Sequence, residues 1–259
     1  MPTDLIVRGA ERIGAALVAG LDDGPGGPRD GEQAAPVDGD PVLLVGGFAT
    51  TPPLLGPMAR WLSALGYAPT PVAIGAGLDC GQRSVDALTE RVRERADRTG
   101  RPVRLLGHSR GGQFARAAGA RTPGHVAGLV TLGTPFDLYG LAVPTMGAMA
   151  TVAVAGTIGL PRLARLSCLF GECCRRFRSE LRAPWPDGTP FTSIYSRADR
   201  VVPARASIDP SASNVEVPGT HNGLLLGRTA HRAIAEALAR CEPAPAAEQR
   251  GGALRATVA

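Results

Sequence analysis

The chain is 259 residues long, 44% hydrophobic and 20% charged, with a formal net charge of +5. That length suits one large α/β domain with a substantial core. All 28 basic residues are arginine, which excludes chemistry built on a lysine: a Schiff base, a lysine-containing phosphate loop or a serine–lysine dyad.

The first twenty residues carry Asp4, Arg8, Glu11 and Arg12 among apolar positions, which breaks the uniform apolar core of an export signal and predicts an amphipathic helix instead. Residues 22–41 are rich in Gly, Pro and Asp and read as a loop or linker, so 1–40 forms a helix-plus-linker segment ahead of the core. From Pro41 onward, apolar runs alternate with helical periodicity. Strand signals fall at 42–45, 71–74, 103–106 and 129–132, and helical signals at 54–65, 84–98 and 112–120. After an insertion at about 137–185 the alternation resumes with strands at 192–195 and 215–217 and a helix at 228–240. Repeated βα units predict a mostly parallel central sheet flanked by helices, spanning 41–241, with 242–259 as a polar, Ala-rich tail. Within the insertion, residues 138–161 hold no charge; two prolines and four glycines interrupt them, so a helical cap over the sheet is expected and no stable membrane span.

Arg91-Val92-Arg93-Glu94-Arg95 alternates basic and acidic residues as a solvated helix face does, and no nucleic-acid partner is expected. Five cysteines, an odd number, make no disulfide framework, and reduced thiols in the cytoplasm are expected. Cys168, Cys173 and Cys174 could hold a metal or form a disulfide, but no second cysteine–histidine knuckle accompanies them. Packing and loop roles are assigned to them, with no metal and no cofactor.

The chemistry centres on Gly107-His108-Ser109-Arg110-Gly111-Gly112, which joins an apolar strand to a helix. Glycines there permit a tight, strained turn that exposes one serine, a nucleophile elbow. A serine hydroxyl needs a base, and four histidines are available. His108 adjoins the serine in the turn and should point away from it. His125 precedes a strand and so lies at the far end of the sheet, and His231 falls inside the last helix. His221 remains, in a loop at the C-terminal edge where Ser109 also lies. Asp199, after the next-to-last strand, is the carboxylate to orient it, with Asp137 as the alternative. Backbone N–H groups of Arg110 and of Phe48, in Gly46-Gly47-Phe48-Ala49, are the expected oxyanion donors, with Ala49 second to Phe48.

On Pro41 to Phe48, the Ser109 elbow, Leu132-Gly133-Thr134-Pro135, the Asp199 segment ending Val201-Val202-Pro203 and the His221 loop, the chain resembles the α/β-hydrolase superfamily. Within it, the likeness is to bacterial lipase-like and esterase-like serine hydrolases distantly akin to deacylases of lipid anchors. The resemblance covers about 41–240 and implies the α/β-hydrolase fold, with Ser109, Asp199 and His221 as nucleophile, orienting acid and base. Gly46-Gly47-Phe48 stands where many relatives carry a proline or a His-Gly pair. The expected activity is hydrolysis of a carboxylic ester with an apolar acyl or alcohol part. A thioesterase or acyl-transferring tailoring enzyme, and a catalytically silent ligand-binding homologue, are the alternatives.

Overall fold

A computed structural model describes residues 39–136 and 141–241; the expected N-terminal helix, the tail from 242 and Asp137 lie outside them. Six strands form one sheet: β1 (Asp40–Val45), β2 (Tyr67–Val72), β3 (Val103–His108), β4 (Val126–Leu132), β5 (Phe191–Tyr195) and β6 (Ser213–Glu216). Every pairing among them is parallel, in the order β2-β1-β3-β4-β5-β6. Parallel neighbours need crossovers, and the helices α1 (Gly56–Ala64), α2 (Gly81–Thr99) and α3 (Arg110–Arg121) supply the first three; after β6 come a short α7 (Gly223–Leu226) and the closing helix α8 (Arg228–Arg240). The insertion between β4 and β5 carries α4 (Val143–Thr157), α5 (Leu166–Phe170) and α6 (Arg175–Arg182).

Side chains alternate across a strand, and the two faces of the sheet accordingly carry separate cores. Leu43, Val45, Leu105 and Leu129 pack with Val85, Leu88, Phe114 and Phe177 on one face. Val42, Leu44, Leu106 and Val130 pack with Leu62, Leu224, Ile234 and Leu238 on the other. Burial on both sides explains why β1, β3 and β4 read as largely apolar runs, interrupted by the buried Arg104, His108 and Thr131.

Strand β2 differs from the expected 71–74: it begins at Tyr67 and ends at Val72. It contains two prolines, Pro69 and Pro71. β2 is an edge strand, and Val72 turns its carbonyl to the Gly46 N–H of the β1 side (3.0 Å), so the alternate positions 69 and 71 aim their missing N–H outward. No helix among the described residues is long and apolar enough to cross a membrane; α4, with 15 residues, rises only about 22 Å.

The chain leaves β1 toward β2 on one side and returns to β3 on the other. The ends of β1 and β3 are therefore a topological switch point, where diverging loops leave a crevice beyond the carboxyl ends of the strands. Phe48 follows β1 and Ser109 follows β3.

Candidate active site

Ser109 sits between β3 and α3 with φ 53° and ψ −127°, a left-handed conformation unusual for a residue with a Cβ. Such strain costs on the order of 1–3 kcal/mol and persists only when the surroundings enforce it. Here the Ser109 N–H donates to the Leu132 carbonyl (2.8 Å), and its own carbonyl accepts from Gly112 N–H (3.0 Å). Close packing explains the flanking glycines. A Cβ on Gly107 would stand 2.5 Å from Gly112 Cα, and one on Gly111 would stand 2.3 Å from the Val45 carbonyl oxygen. Arg110 is the first residue of a 12-residue helix, so its N–H is one of the helix's unsatisfied terminal donors.

Asp199 and His221 meet beyond the ends of β5 and β6. His221 Nδ1 lies 2.6 Å from Asp199 Oδ2, and their side chains are 9% and 1% exposed. The other carboxylate oxygen, Oδ1, accepts the backbone N–H groups of Val201 (2.8 Å) and Val202 (2.9 Å), so the carboxylate is fixed from two directions. A carboxylate only accepts, so the hydrogen between the pair sits on Nδ1, and in the neutral ring this leaves the lone pair on Nε2.

His108 is fully buried and turned toward the His221 loop. Its Nε2 lies 3.0 Å from the His221 carbonyl oxygen, and the two rings stand 4.7 Å apart. Because a carbonyl accepts, Nε2 of His108 carries the hydrogen. Burial, reinforced by the neighbouring His221, pushes the His108 pKa down to about 3, so its ring stays neutral. One residue before Ser109, the chain thus touches the loop that holds His221. His125 lies before β4, 3.7 Å from Asp97, and His231 stacks on Trp61 with ring centroids 4.1 Å apart.

Phe48, Ser109 and Arg110 line one cavity together with Val201 and Val202 of the Asp199 loop. The Gly47 position packs on the serine: a Cβ there would come within 2.8 Å of Ser109 Cβ. Ala49 is itself left-handed, with φ 57°. Arg110, Gln113, Leu141 and Met149 also line a second, largely apolar cavity, walled by Met146, Leu169, Phe170 and Phe177 of the insertion. Outward, the insertion exposes Ile158 (78%) and Phe170 (74%).

The Asp199 and His221 side chains are in direct contact, whereas Ser109, Phe48 and Arg110 meet around the neighbouring cavity. Asp137 lies outside the described residues. Sequence reasoning missed Gly133. Its φ is +52°, and a Cβ there would stand 3.0 Å from Asp199 Oδ2 and 3.1 Å from His221 Nδ1. The segment Leu132-Gly133-Thr134-Pro135 carried a signal, but its reason lies in partners at positions 199 and 221.

No protein-family model and no curated protein matches the chain. Solved structures do. The mature lipase BlEst2 of Bacillus licheniformis superposes with a TM-score of 0.59 at 19% identity, over 81% of this chain and 96% of that one. A soluble variant of the monoglyceride lipase of Saccharomyces cerevisiae, in complex with a substrate analogue, gives 0.59 at 16% identity, over 84% and 91%. The monoacylglycerol lipase of Paleococcus ferrophilus gives 0.55 at 19%, over 79% and 97%. At these identities the likeness is one of fold, and the fold is that of the α/β-hydrolases.

Proposed function

We propose that this chain, having the α/β-hydrolase fold, is a serine hydrolase that cleaves carboxylic esters with an apolar part. The observation that carries the proposal is the His221–Asp199 pair at 2.6 Å, on the sheet edge where Ser109 is held at φ 53°. Nε2 of His221 takes the Ser109 hydroxyl proton as Oγ attacks the ester carbonyl. The N–H groups of Arg110 and Phe48 receive the oxyanion, the former aided by the positive end of α3. Collapse breaks the carbon–oxygen bond of the alcohol, which leaves with the proton from His221. Water, deprotonated by the same nitrogen, then attacks the acyl-enzyme and releases the acid and free Ser109. Asp199 holds the Nδ1 tautomer and stabilises the imidazolium that forms in each half.

The apolar cavity beside the elbow supports a substrate with a hydrocarbon chain: Leu141, Met149, Leu169, Phe170 and Phe177 offer surface to it. The structural neighbours, a monoacylglycerol lipase and a monoglyceride lipase among them, support an ester as the scissile bond. Labelling with a fluorophosphonate, read by intact mass, tests the reading. Wild-type protein gains one phosphonyl group and Ser109→Ala gains none, while nitrophenyl esters of graded acyl length are turned over by the wild type alone. Unlabelled Ser109 in folded protein, with no ester turned over, would overturn it. Faster turnover of thioesters than of matched oxygen esters would reassign the substrate.

A further inference from the structure

Four of the five cysteines converge on one point. Cys80, Cys168, Cys173 and Cys174 place their sulfurs all within 4.8 Å of one another. The Cys80 sulfur lies 3.5 Å from both Cys173 and Cys174, and Cys168 lies 3.6 Å from Cys173. Four sulfurs around one tetrahedral ion at a metal–sulfur distance of about 2.3 Å stand about 3.8 Å apart, and the observed separations, three of them 3.5–3.6 Å and all within 4.8 Å, bracket that edge. An iron–sulfur cluster interposes iron and sulfide between its thiolates and needs a wider cage than 4.8 Å. The sequence offered only the local group at 168–174; the fourth sulfur comes from position 80, just before α2.

We propose that Cys80, Cys168, Cys173 and Cys174 bind a single structural zinc ion that fastens the inserted cap to the hydrolase body. The donor set is all thiolate, closed and tetrahedral, the arrangement zinc takes in structural sites. Cys80 occupies the N-cap of the 19-residue helix α2, so its sulfur lies at the positive end of that helix. The backbone N–H groups of Gln82 and Arg83, in the first turn, point to the sulfurs of Cys174 and Cys80. The Arg165 N–H donates to the Cys168 sulfur at 3.4 Å. Amide donors of this kind orient thiolate ligands and spread their charge. A zinc ion with four thiolates carries a net charge of two minus. The guanidinium groups of Arg83 and Arg110 interact with the sulfurs and oppose that charge, while Arg178 bonds the Cys168 carbonyl (3.0 Å) and braces the ligand's backbone. Binding releases the four thiol protons to solvent and changes no oxidation state.

The ligands divide between two parts of the fold. Cys80 belongs to the β2–α2 connection, and the other three lie in and just after α5 of the insertion. Cys168 and Cys174 also line the apolar cavity, and Arg110 of the elbow donates to the carbonyl of Asp79, next to Cys80 (3.0 Å). The ion would therefore set the position of the cavity wall. This inference stands on the sulfur geometry and is independent of the proposed esterase activity.

The full-length protein, purified without chelator, is assayed for metal by plasma mass spectrometry and for reactive thiols by alkylation and intact mass. About one zinc per chain is expected, with four cysteines protected until a mercurial or chelator releases the ion. Apo-protein titrated with cobalt(II) should develop the thiolate charge-transfer band and the strong visible bands of a tetrahedral site. Cys173→Ser, which alters the exposed ligand, should lose more than tenfold in zinc affinity, and Cys241→Ser should keep it. Metal removal from the wild type should speed proteolysis within 141–182. Metal-free protein that takes up neither ion while all its thiols alkylate would overturn the proposal. So would disulfides among the four cysteines, or iron in place of zinc.

Discussion

Asp199→Asn separates the roles of the two carboxylate oxygens. Oδ1 accepts two backbone N–H groups, at 2.8 and 2.9 Å, and Oδ2 faces His221 Nδ1 at 2.6 Å. In the variant, the amide oxygen must take the Oδ1 place, because an NH2 there would oppose two donors and leave each unsatisfied at about 1–3 kcal/mol. The NH2 then points at Nδ1, which must accept, and the imidazole proton moves to Nε2. With N–H toward the serine, the ring cannot take the hydroxyl proton. Loss of the correct tautomer in a serine–histidine–aspartate site lowers kcat by about 10⁴, equivalent to roughly 5.5 kcal/mol of transition-state stabilisation. Volume and both loop bonds are retained, so the stability change should be about 1 kcal/mol, the difference between a charge-assisted and a neutral hydrogen bond. Ester turnover and thermal unfolding measured on the same preparation check both numbers. Folded Asp199→Asn retaining more than about a tenth of wild-type kcat would refute the reasoning, and loss of activity in Asp137→Asn instead would move the role to that residue.

Gly133→Ala should lower ester turnover more than about a hundredfold and cost about 1–2 kcal/mol of stability, because the new methyl meets Asp199 and His221 at 3.0–3.1 Å on a left-handed backbone; kinetics with a wild-type rate would contradict this. Arg116→Ala leaves the buried Asp209 carboxylate without its 2.7 Å partner and frees the carbonyls of Glu180 and Ala183. A loss of about 3–5 kcal/mol is expected in urea unfolding, and a loss below about 1 kcal/mol would show the pair to be dispensable. His108 is protonated at 6.5 in its ordinary state and only at about 3 in the fold. As pH falls below 6.5 the unfolded chain binds a proton that the folded chain does not. The stability linked to neutral His108 is thus fully present above that pH and declines toward pH 3, by up to about 1.4 kcal/mol per unit. Denaturant unfolding at several pH values should show a shallower acid decline in His108→Gln, and equal slopes would exclude the effect.

The features legible in the sequence are those set by contiguous residues. The apolar runs of β1, β3 and β4 mark strands buried on both faces. The glycines around Ser109 mark a turn in which strand and helix backbones nearly touch. Chain order alone put Ser109, Asp199 and His221 on one edge, since each follows a strand of a parallel sheet. Strand β2, expected at 71–74, runs over Tyr67–Val72; Pro69 and Pro71 fit within it because it is an edge strand, and edge position is a property of the assembled sheet. Gly133 gave no reason for itself until Asp199 and His221 closed over it, and His108 could be steered away from Ser109 but not toward the His221 carbonyl. The thiol cluster divides most clearly: three cysteines within seven residues read as packing. A fourth, 88 positions upstream of the first of them, changes their chemistry. Local steric and hydrophobic rules act over a few residues and so survive in a linear string. Coordination, tautomer choice and close approach depend on which distant segments fill the same few ångströms, and only tertiary packing decides that.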